Sequence, residues 1–322
     1  MPAAAVPAES RFDRRRLPDG MAFHVWHAAD GWPMRAYRWP ADAAASRGSL
    51  LFQSGRADFI EKYLEPLDHW HARGWRIEGF DWRGQGGSRP SDDARPAGGI
   101  VDDRLSFDPL IDDLLLFVRD WQARTPGPHV VVAHSMGGHV ALLACAEKGL
   151  SPDALVLVAP MLALNTRALP RWMARLVAGA AVAIGRGAKP AWKEDHADPQ
   201  RQLRLTASRA RYEDSQWWKR RTPGLASGAP SWNWLGAALR GGRRIARRGV
   251  VERIGCPVLL LEAGLDALVD DAAIERTAAR LPDAELVRLP DARHEILREA
   301  DGPRLAALAA IDDFLDSRVP AR

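Results

Sequence analysis

Short apolar runs alternate along this chain with longer segments in which apolar residues recur every three or four positions. The runs predict buried strands at 21–26, 34–39, 49–53, 75–81, 130–132, 153–160, 257–264 and 284–289. The helical spacing predicts helices at 58–73, 107–124, 136–148, 271–281 and 303–317. The first two strands flank a turn-prone segment and are expected to pair as a hairpin. The alternation of the other strands with helices predicts an α/β protein, with a mostly parallel sheet flanked by helices on both faces.

The alternation stops between residues 161 and 253. This segment is rich in Arg and Trp, contains several helical stretches and has no convincing strand. We expect it to be a helical lid inserted into a single α/β core, which residues 20–160 and 254–322 would form together. Residues 1–19 begin with a Pro/Ala-rich stretch and are expected to be a flexible leader.

Length and composition narrow the class of protein. A chain of 322 residues with 47% hydrophobic residues can hold one large domain with an insertion. No window reaches the roughly 18 to 20 uncharged apolar residues of a spanning helix, and no signal-peptide pattern is recognised. Cys145 and Cys256 are expected to be small core residues in a reducing compartment. The sequence contains no Cys/His cluster with the spacing of zinc ligands and no phosphate-binding loop. It therefore predicts a cytoplasmic protein that uses neither a metal nor a cofactor.

A serine between small residues lies where the strand near residue 130 gives way to a helix. The segment reads Ala133-His134-Ser135-Met136-Gly137-Gly138. Strand, sharp turn and helix in this order are the context of a nucleophile elbow, whose strained turn needs small residues two positions before and after the serine. Ala133 and Gly137 meet this need, and His134 and Gly138 are expected to shape the turn. Ser135 is therefore the candidate nucleophile, and the alternative is that its hydroxyl only caps the helix.

A nucleophilic serine needs a base, and three histidines follow Ser135 in the chain. His139 lies one helical turn beyond the serine and is expected to pack or to lie on the surface. His196 lies in a charged stretch and is expected to be solvated. His294 follows the last predicted strand, where the carboxyl edge of an α/β sheet would bring it towards the serine. His294 is therefore the candidate base.

The base in turn needs a carboxylate that orients it. Asp266 lies two residues beyond the glycine that ends the strand at 257–264, which makes it the favoured acid. Asp270 and Asp271 are rivals, but they open the next predicted helix, where carboxylates commonly act as caps. Glu262 lies within the strand and is expected to be structural.

An acyl-transfer site also needs two backbone N–H groups that bind the oxyanion. One is expected from Met136, the residue after the nucleophile. The other is expected from the loop after the strand at 49–53, where Gly55 permits a tight turn and the amide of Arg56 is the candidate donor.

The candidate site residues belong to a series of short motifs that runs from about residue 20 to the end. The series is Ser54-Gly55-Arg56, Glu61-Lys62-Tyr63, Phe80-Asp81-Trp82-Arg83-Gly84-Gln85-Gly86-Gly87-Ser88, the elbow, Gly264-Leu265-Asp266 and His294-Glu295. In this order the motifs resemble the monoacylglycerol lipase and lysophospholipase branch of the α/β-hydrolases, the serine aminopeptidase S33-like group. Within this group, the segments 205–212 and 228–232 resemble the lysophospholipases in particular. The chain departs from the pattern at Ser54, where His is usual, and at Ala133, where Gly is usual.

The resemblance implies an α/β-hydrolase fold with a helical lid, and a serine hydrolase with a Ser-His-Asp triad. It implies, as the favoured activity, hydrolysis of single-chain lipid esters such as lysophospholipids or monoacylglycerols. A small-ester esterase or a serine aminopeptidase on the same scaffold is the second hypothesis. A non-catalytic ligand-binding protein that kept the fold is the third.

Charge is unevenly distributed along the chain. Residues 167–253 carry 19 Lys and Arg against 6 Asp and Glu, a net of +13, so the remainder of this +4 chain carries −9. Tryptophans accompany the basic residues at Trp172, Trp192, Trp217, Trp218, Trp232 and Trp234. Indoles and cations together favour peripheral contact with anionic membrane, with Arg243 and Arg244 among the candidate contacts. The alternative is a solvated helical surface whose tryptophans pack on the core. No nucleic-acid-binding motif accompanies the charge, so no nucleic-acid partner is expected.

Overall fold

The computed structural model describes residues 12–41, 46–89, 106–166, 169–192 and 200–320, and eight strands in these ranges form one sheet. In chain order they are β1 (Ala22–His27), β2 (Pro33–Trp39), β3 (Gly48–Gln53), β4 (Trp75–Phe80), β5 (His129–His134), β6 (Ala154–Val158), β7 (Val258–Ala263) and β8 (Ala284–Leu289). Their order in the sheet is β1-β2-β4-β3-β5-β6-β7-β8. β2 is antiparallel to β1 and β4, and every other neighbouring pair is parallel. The predicted hairpin and the mostly parallel sheet are both confirmed.

Helices cover both faces of this sheet. In the described ranges they are α1 (Leu64–His71), α2 (Asp108–Arg124), α3 (Met136–Lys148), α4 (Arg171–Ala183), α5 (Gln200–Leu205), α6 (Arg209–Arg221), α7 (Trp232–Ile245), α8 (Asp271–Ala278) and α9 (Asp301–Arg318). One apolar core includes α2, α3 and α8, and the other includes α1 and α9. Because both faces are covered, β3, β6 and β7 are buried along their whole length. Among the described helices, none combines the length and the apolar content that crossing a membrane requires.

The helix predicted at 58–73 begins later than its spacing suggested. Ile60–Tyr63 is a single 3₁₀ turn, and α1 begins only after it. The backbone at Ala57 has a φ of 62°, which is left-handed and incompatible with a continuing helix. Phe59 is extended, with a φ of −151° and a ψ of 155°, so a helix cannot begin before residue 60. The N–H of Ile60, which has no helical carbonyl to bind, donates to Asp81 Oδ1 at 3.1 Å.

Helices α4 to α7 lie between β6 and β7, in the segment expected to be a lid. The described part of 161–253 contains these helices and no strand of the main sheet. Arg211 of α6 is bound to Glu65 and to Asp301 of the core, both at 2.6 Å. α4 packs on α7. α6 is therefore held to the core by ion pairs, whereas α4 packs on another helix of the segment and is bound to the core through Arg171 and Asp270.

The expected leader falls partly within the described ranges. Residues 1–11 lie outside them, whereas from residue 12 the chain lies against α6. Arg14 and Arg15 bind the carboxylate of Asp214 at 2.6 and 2.7 Å. The ion pairs explain why this end of the expected leader is attached to the segment 161–253.

Candidate active site

Ser135 lies at the carboxyl end of β5, in the sharp turn that leads into α3. Its φ of 50° and ψ of −113° are strained for a residue with a side chain. Two backbone hydrogen bonds hold the turn: Ser135 N donates to Val158 O at 3.0 Å, and Met161 N donates to Ser135 O at 3.0 Å. The hydroxyl makes no capping bond to α3, although Ser135 occupies the N-cap position. The alternative of a purely capping serine is therefore wrong.

Small residues around the elbow are required by close backbone contacts. A Cβ on Gly137 would lie 2.6 Å from the carbonyl oxygen of Ser54, and one on Gly138 would lie 3.0 Å from Cβ of Pro160. A Cβ on Gly55 would lie 3.1 Å from Cβ of Ser135. The predicted supporting glycines therefore let α3 and the loop after β3 approach the serine. Ala133, the departure from the usual glycine, is fully buried in the core.

The three predicted triad residues come together at the carboxyl edge of the sheet. His294 Nε2 lies 2.9 Å from Ser135 Oγ, and His294 Nδ1 lies 2.7 Å from Asp266 Oδ2. The other carboxylate oxygen, Asp266 Oδ1, accepts hydrogen bonds from the N–H groups of Leu268 at 2.7 Å and Val269 at 3.1 Å. One oxygen of the carboxylate is thus fixed by backbone, which leaves the other to orient the imidazole.

The rival residues lie elsewhere. Asp270 is bound to Arg171, and Asp271 is the first residue of α8. His139 is fully buried, with its Nδ1 2.7 Å from Met161 O, as expected for a packing residue. His196 lies outside the described residues. Glu262 is buried within β7, 3.3 Å from Arg288.

Burial and charge set the protonation of the site. Burial opposes ionisation of Asp266, but the His294 imidazole and the two backbone donors outweigh it and hold the pKa of Asp266 below its usual value. Burial also opposes protonation of His294. The neighbouring charges of Asp266, Glu295 and Asp58 outweigh this effect and raise the pKa of His294 above 6.5.

The two predicted oxyanion donors lie on the two loops that meet at Ser135. Met136 is the first residue of α3, where a helical N–H has no intrahelical carbonyl to bind. Arg56 follows Gly55, whose backbone passes next to the serine. The Arg56 side chain donates to the carbonyl of Gly228 and lies 5.3 Å from the ring centroid of Trp234. Trp234 in turn places its indole N–H 3.3 Å from the sulfur of Met136. Side chains of the segment 161–253 therefore touch both donor residues.

A buried ionic network behind His294 was not found by sequence reasoning. Lys62 is bound to Asp58 and, at 2.8 Å, to Glu295, the residue after the histidine. Tyr63 donates its hydroxyl to Asp58 at 2.7 Å, and Arg298 pairs with Glu295. The motif that contains Lys62 and Tyr63 was visible in the sequence, but its partner Glu295 lies 233 residues away from Lys62. Only the folded chain shows that the two motifs form one network.

His134 completes the surroundings of the base. Its ring centroid lies 5.0 Å from that of His294, and its Nδ1 lies 3.0 Å from Val158 O. Burial, helped by repulsion from the His294 charge, lowers the pKa of His134 to about 4. His134 is therefore neutral near pH 7, which leaves His294 as the histidine of the pair that exchanges a proton. Among the described residues, no group of three or more His, Cys, Asp or Glu side chains is arranged to hold a metal ion.

Comparison with known proteins places this arrangement in a family. A family model described as "Serine aminopeptidase, S33" matches residues 44–301. The lysophospholipase L2 of Escherichia coli strain K12 is 31% identical over 286 residues, which cover 81% of this chain and 78% of the relative. The probable lysophospholipase L2 of Haemophilus influenzae is 25% identical over 280 residues, which cover 85% of each chain.

A solved structure shows the same fold. The soluble variant of monoglyceride lipase from Saccharomyces cerevisiae, in complex with a substrate analogue, superposes with a TM-score of 0.73 at 16% identity. The match covers 96% of this chain and 100% of the yeast protein. The chain thus belongs to the monoacylglycerol lipase and lysophospholipase branch of the α/β-hydrolases, within the serine aminopeptidase S33 family, and is a serine hydrolase.

Proposed function

We propose that this protein hydrolyses carboxylic esters of single-chain lipids, such as lysophospholipids or monoacylglycerols, through an acyl-enzyme on Ser135. The observation that carries the proposal is the unbroken hydrogen-bonded path from Asp266 through His294 to Ser135 Oγ. A serine hydroxyl is a weak nucleophile until a base takes its proton, and this path supplies the base and its orienting acid.

In the first half-reaction Ser135 Oγ attacks the ester carbonyl carbon while its proton passes to His294 Nε2. Asp266 accepts the hydrogen bond from Nδ1–H and stabilises the imidazolium that forms. The carbonyl oxygen becomes an oxyanion, which we assign to the backbone N–H groups of Met136 and Arg56. When the tetrahedral intermediate collapses, the bond between the carbonyl carbon and the alcohol oxygen breaks, and this oxygen takes the proton from Nε2.

In the second half-reaction water replaces the alcohol. His294 takes a proton from the water, whose oxygen attacks the acyl carbon of the ester on Ser135. Collapse of this second intermediate breaks the bond to Oγ and returns the proton to Oγ. The products are a fatty acid and a regenerated Ser135.

The substrate class is supported by the relatives and by the segment above the site. Two relatives that cover most of the chain bear the names lysophospholipase L2 and probable lysophospholipase L2. We propose that residues 161–253 form a lid over the core of residues 20–160 and 254–322. Contacts of Trp234 with Met136 and of Arg56 with Gly228 support this placement, because they bring α7 and the loop before it to the oxyanion region.

A substrate panel tests the proposal against its alternatives. Purified protein is offered monoacylglycerols, lysophospholipids, short p-nitrophenyl esters and aminoacyl amides, and a fluorophosphonate probe reports on the reactivity of Ser135. We expect covalent labelling of Ser135 and the highest kcat/KM on the long-chain esters. Preference for the amides would favour a peptidase, in line with the family description. Absence of labelling in folded protein would favour a non-catalytic member of the fold.

A further inference from the structure

Lys219, in the last turn of α6, is a half-buried cation without an anionic partner. Within the part of the chain that the structure describes, no carboxylate lies within ion-pair distance of its ammonium group. Burial, together with repulsion from Lys62 and Arg201, lowers the pKa of Lys219 to about 8. The fold therefore holds a positive charge where water solvates it poorly and where no ion pair neutralises it.

Other basic residues of the segment 161–253 are in a different position. Arg244, a candidate for membrane contact, is bound to Asp108 at 2.7 Å and also to Glu147. Arg220, next to Lys219, is exposed, so water solvates its charge. Burying a charge is costly unless a partner compensates it. Lys219 is therefore the cation of this helix end for which an outside anion would matter.

The ionic network next to Lys219 is already neutral. Asp58 and Glu295 supply its negative charges. Lys62 and Arg298 supply as many positive charges and bind these carboxylates. The two carboxylates raise the pKa of Lys219 less than burial and the neighbouring cations lower it. Lys219 therefore adds a surplus positive charge to the described part of this cluster.

The network also places Lys219 beside two loops of the candidate active site. Asp58 Oδ2 accepts a hydrogen bond from the N–H of Gly55 at 3.0 Å, on the loop of the candidate oxyanion donor. Glu295 directly follows the base, His294. Asp58 and Glu295 are both close enough to Lys219 to affect its charge. The ammonium group therefore lies near the supports of both loops.

The helix that carries Lys219 is fixed to the core. α6 packs on the 3₁₀ turn Ile60–Tyr63. Trp218, the residue before Lys219, donates its indole N–H to the carbonyl oxygen of Arg14 at 2.9 Å. A charged group on a fixed helix needs little further ordering when it binds a ligand, which favours affinity.

The alcohol part of an ester substrate lies on the same side of the site, a point that rests on the proposed function. The leaving oxygen takes its proton from Nε2 of His294, so it must come within hydrogen-bond reach of that atom. In a lysophospholipid, the glycerol backbone alone separates this oxygen from the phosphate. The phosphate is therefore expected near the loop of His294 and Glu295, where the long side chain of Lys219 supplies a positive charge.

We propose that Lys219 binds the phosphate of a lysophospholipid substrate and thereby selects lysophospholipids over monoacylglycerols. An ammonium group donates charge-assisted hydrogen bonds to phosphate oxygens, and these are stronger in a shielded site than at an exposed surface. A monoacylglycerol carries a neutral hydroxyl at the same place and leaves the charge of Lys219 uncompensated. Of the two lipid classes in the proposed function, the lysophospholipids therefore fit this charge.

Two substrates with the same acyl chain test the proposal on the full chain. They are 1-oleoyl-lysophosphatidylglycerol and 1-oleoylglycerol, each offered in neutral detergent micelles. Lys219→Met should lower kcat/KM on the lysophospholipid about tenfold or more, mainly through KM, because a charge-assisted hydrogen bond is lost. The loss on 1-oleoylglycerol should be far smaller. Lys219→Arg keeps the charge and should retain the preference for the lysophospholipid.

The matched control is Arg220→Met, which removes the same charge from the neighbouring exposed position and should behave like wild type. Equal losses on both substrates in Lys219→Met would show a structural role for Lys219 and overturn the proposal, as would unchanged values on both. A selective loss of the same size in Arg220→Met would assign the preference to the total charge of the helix end and overturn it as well.

Binding of sn-glycerol 3-phosphate separates this proposal from the proposed function. By calorimetry, wild type should bind it about tenfold or more tightly than Lys219→Met does, whereas glycerol should show no such difference. Binding that depends on Lys219, in a protein without esterase activity, would overturn the proposed function and leave the phosphate site intact. Esterase activity with equal binding by wild type and Lys219→Met would overturn the phosphate site alone.

Discussion

Nε2 of His294 lies 2.9 Å from Oγ of Ser135, although 159 residues separate the two in the chain. The parallel strands that carry them end at the same edge of the sheet, and the backbone of each loop is fixed by hydrogen bonds to neighbouring strands and loops. Ser135 N binds Val158 O, and Glu295 N, next to the histidine, binds Leu205 O at 2.8 Å. Backbone hydrogen bonds therefore hold both partners of the contact in place, as expected of a preorganised site.

The first prediction concerns the triad. Ser135→Ala and His294→Ala should each lower kcat/KM on a soluble ester by about 10³-fold or more, because the nucleophile or its base is removed. Asp266→Asn should also lower it strongly, because the amide cannot stabilise the imidazolium. The control is Asp270→Asn, which changes the rival carboxylate and should leave most of the activity. Near-normal turnover by folded Ser135→Ala protein would contradict the mechanism.

The second prediction concerns pH. His294 must be neutral to accept the serine proton, and its pKa is raised above 6.5 by the neighbouring carboxylates. The rate should therefore fall as the pH drops, with a midpoint above 6.5. Glu295→Gln removes one of these negative charges, so the midpoint of kcat/KM against pH should move downwards. A midpoint that stays in place in this variant would show that Glu295 has no electrostatic effect on the base.

The third prediction concerns the network behind His294. Lys62 and Glu295 are both almost fully buried, with 7% and 4% of their side chains exposed. Lys62→Met leaves the carboxylates of Asp58 and Glu295 without this cation, and should lower the free energy of unfolding by about 3 kcal/mol. The exposed pair Arg209–Glu213 is the control, because Arg209→Ala should leave the urea midpoint unchanged. Equal effects of the two changes would show that the buried pair contributes no more than a surface one.

The fourth prediction concerns the small residues of the elbow. Gly137→Ala places a Cβ within 2.6 Å of a backbone oxygen of the loop after β3. That loop must move, and the oxyanion donors would move with it, so kcat should fall more than KM rises. Gly302→Ala in α9 meets no atom within 4 Å and should slightly raise stability, because alanine favours helix over glycine. An active Gly137→Ala enzyme would mean that the loop tolerates the shift.

Local patterns predicted the elbow because its steric demands fall on adjacent residues. Ala133, Ser135 and Gly137 are two positions apart, and the strand before them is plainly apolar. The choice of Asp266 over Asp270 also followed from local position, since Asp266 lies two residues beyond the glycine that ends a predicted strand, whereas Asp270 opens the next predicted helix. The fold class followed in the same way, from the alternation of strands and helices.

The start of α1 and the buried face of α4 depend on long-range contacts, which local sequence patterns do not reveal. The helix start at residue 64 instead of 58 depends on the extended backbone at Phe59, after which Asp81, at the end of another strand, binds the N–H of Ile60. The apolar periodicity of α4 would ordinarily indicate a buried face, whereas the fold buries its alanines. Which face of such a helix turns inwards depends on the helix it packs on, here α7.

The hydrogen bond from Glu295 N to Leu205 O has a consequence for exchanging parts between related enzymes. Thr206 adds a second attachment, since its hydroxyl donates to Arg298 O at 2.9 Å. A graft that replaces the chain around 205 and 206 thus also replaces the support of the catalytic histidine loop. A graft confined to 169–192 leaves that support in place. The two halves of the segment are therefore unequal as sites for engineering: residues 169–192 can be exchanged without replacing the support of the histidine loop, whereas the chain around 205 and 206 must be inherited together with the histidine.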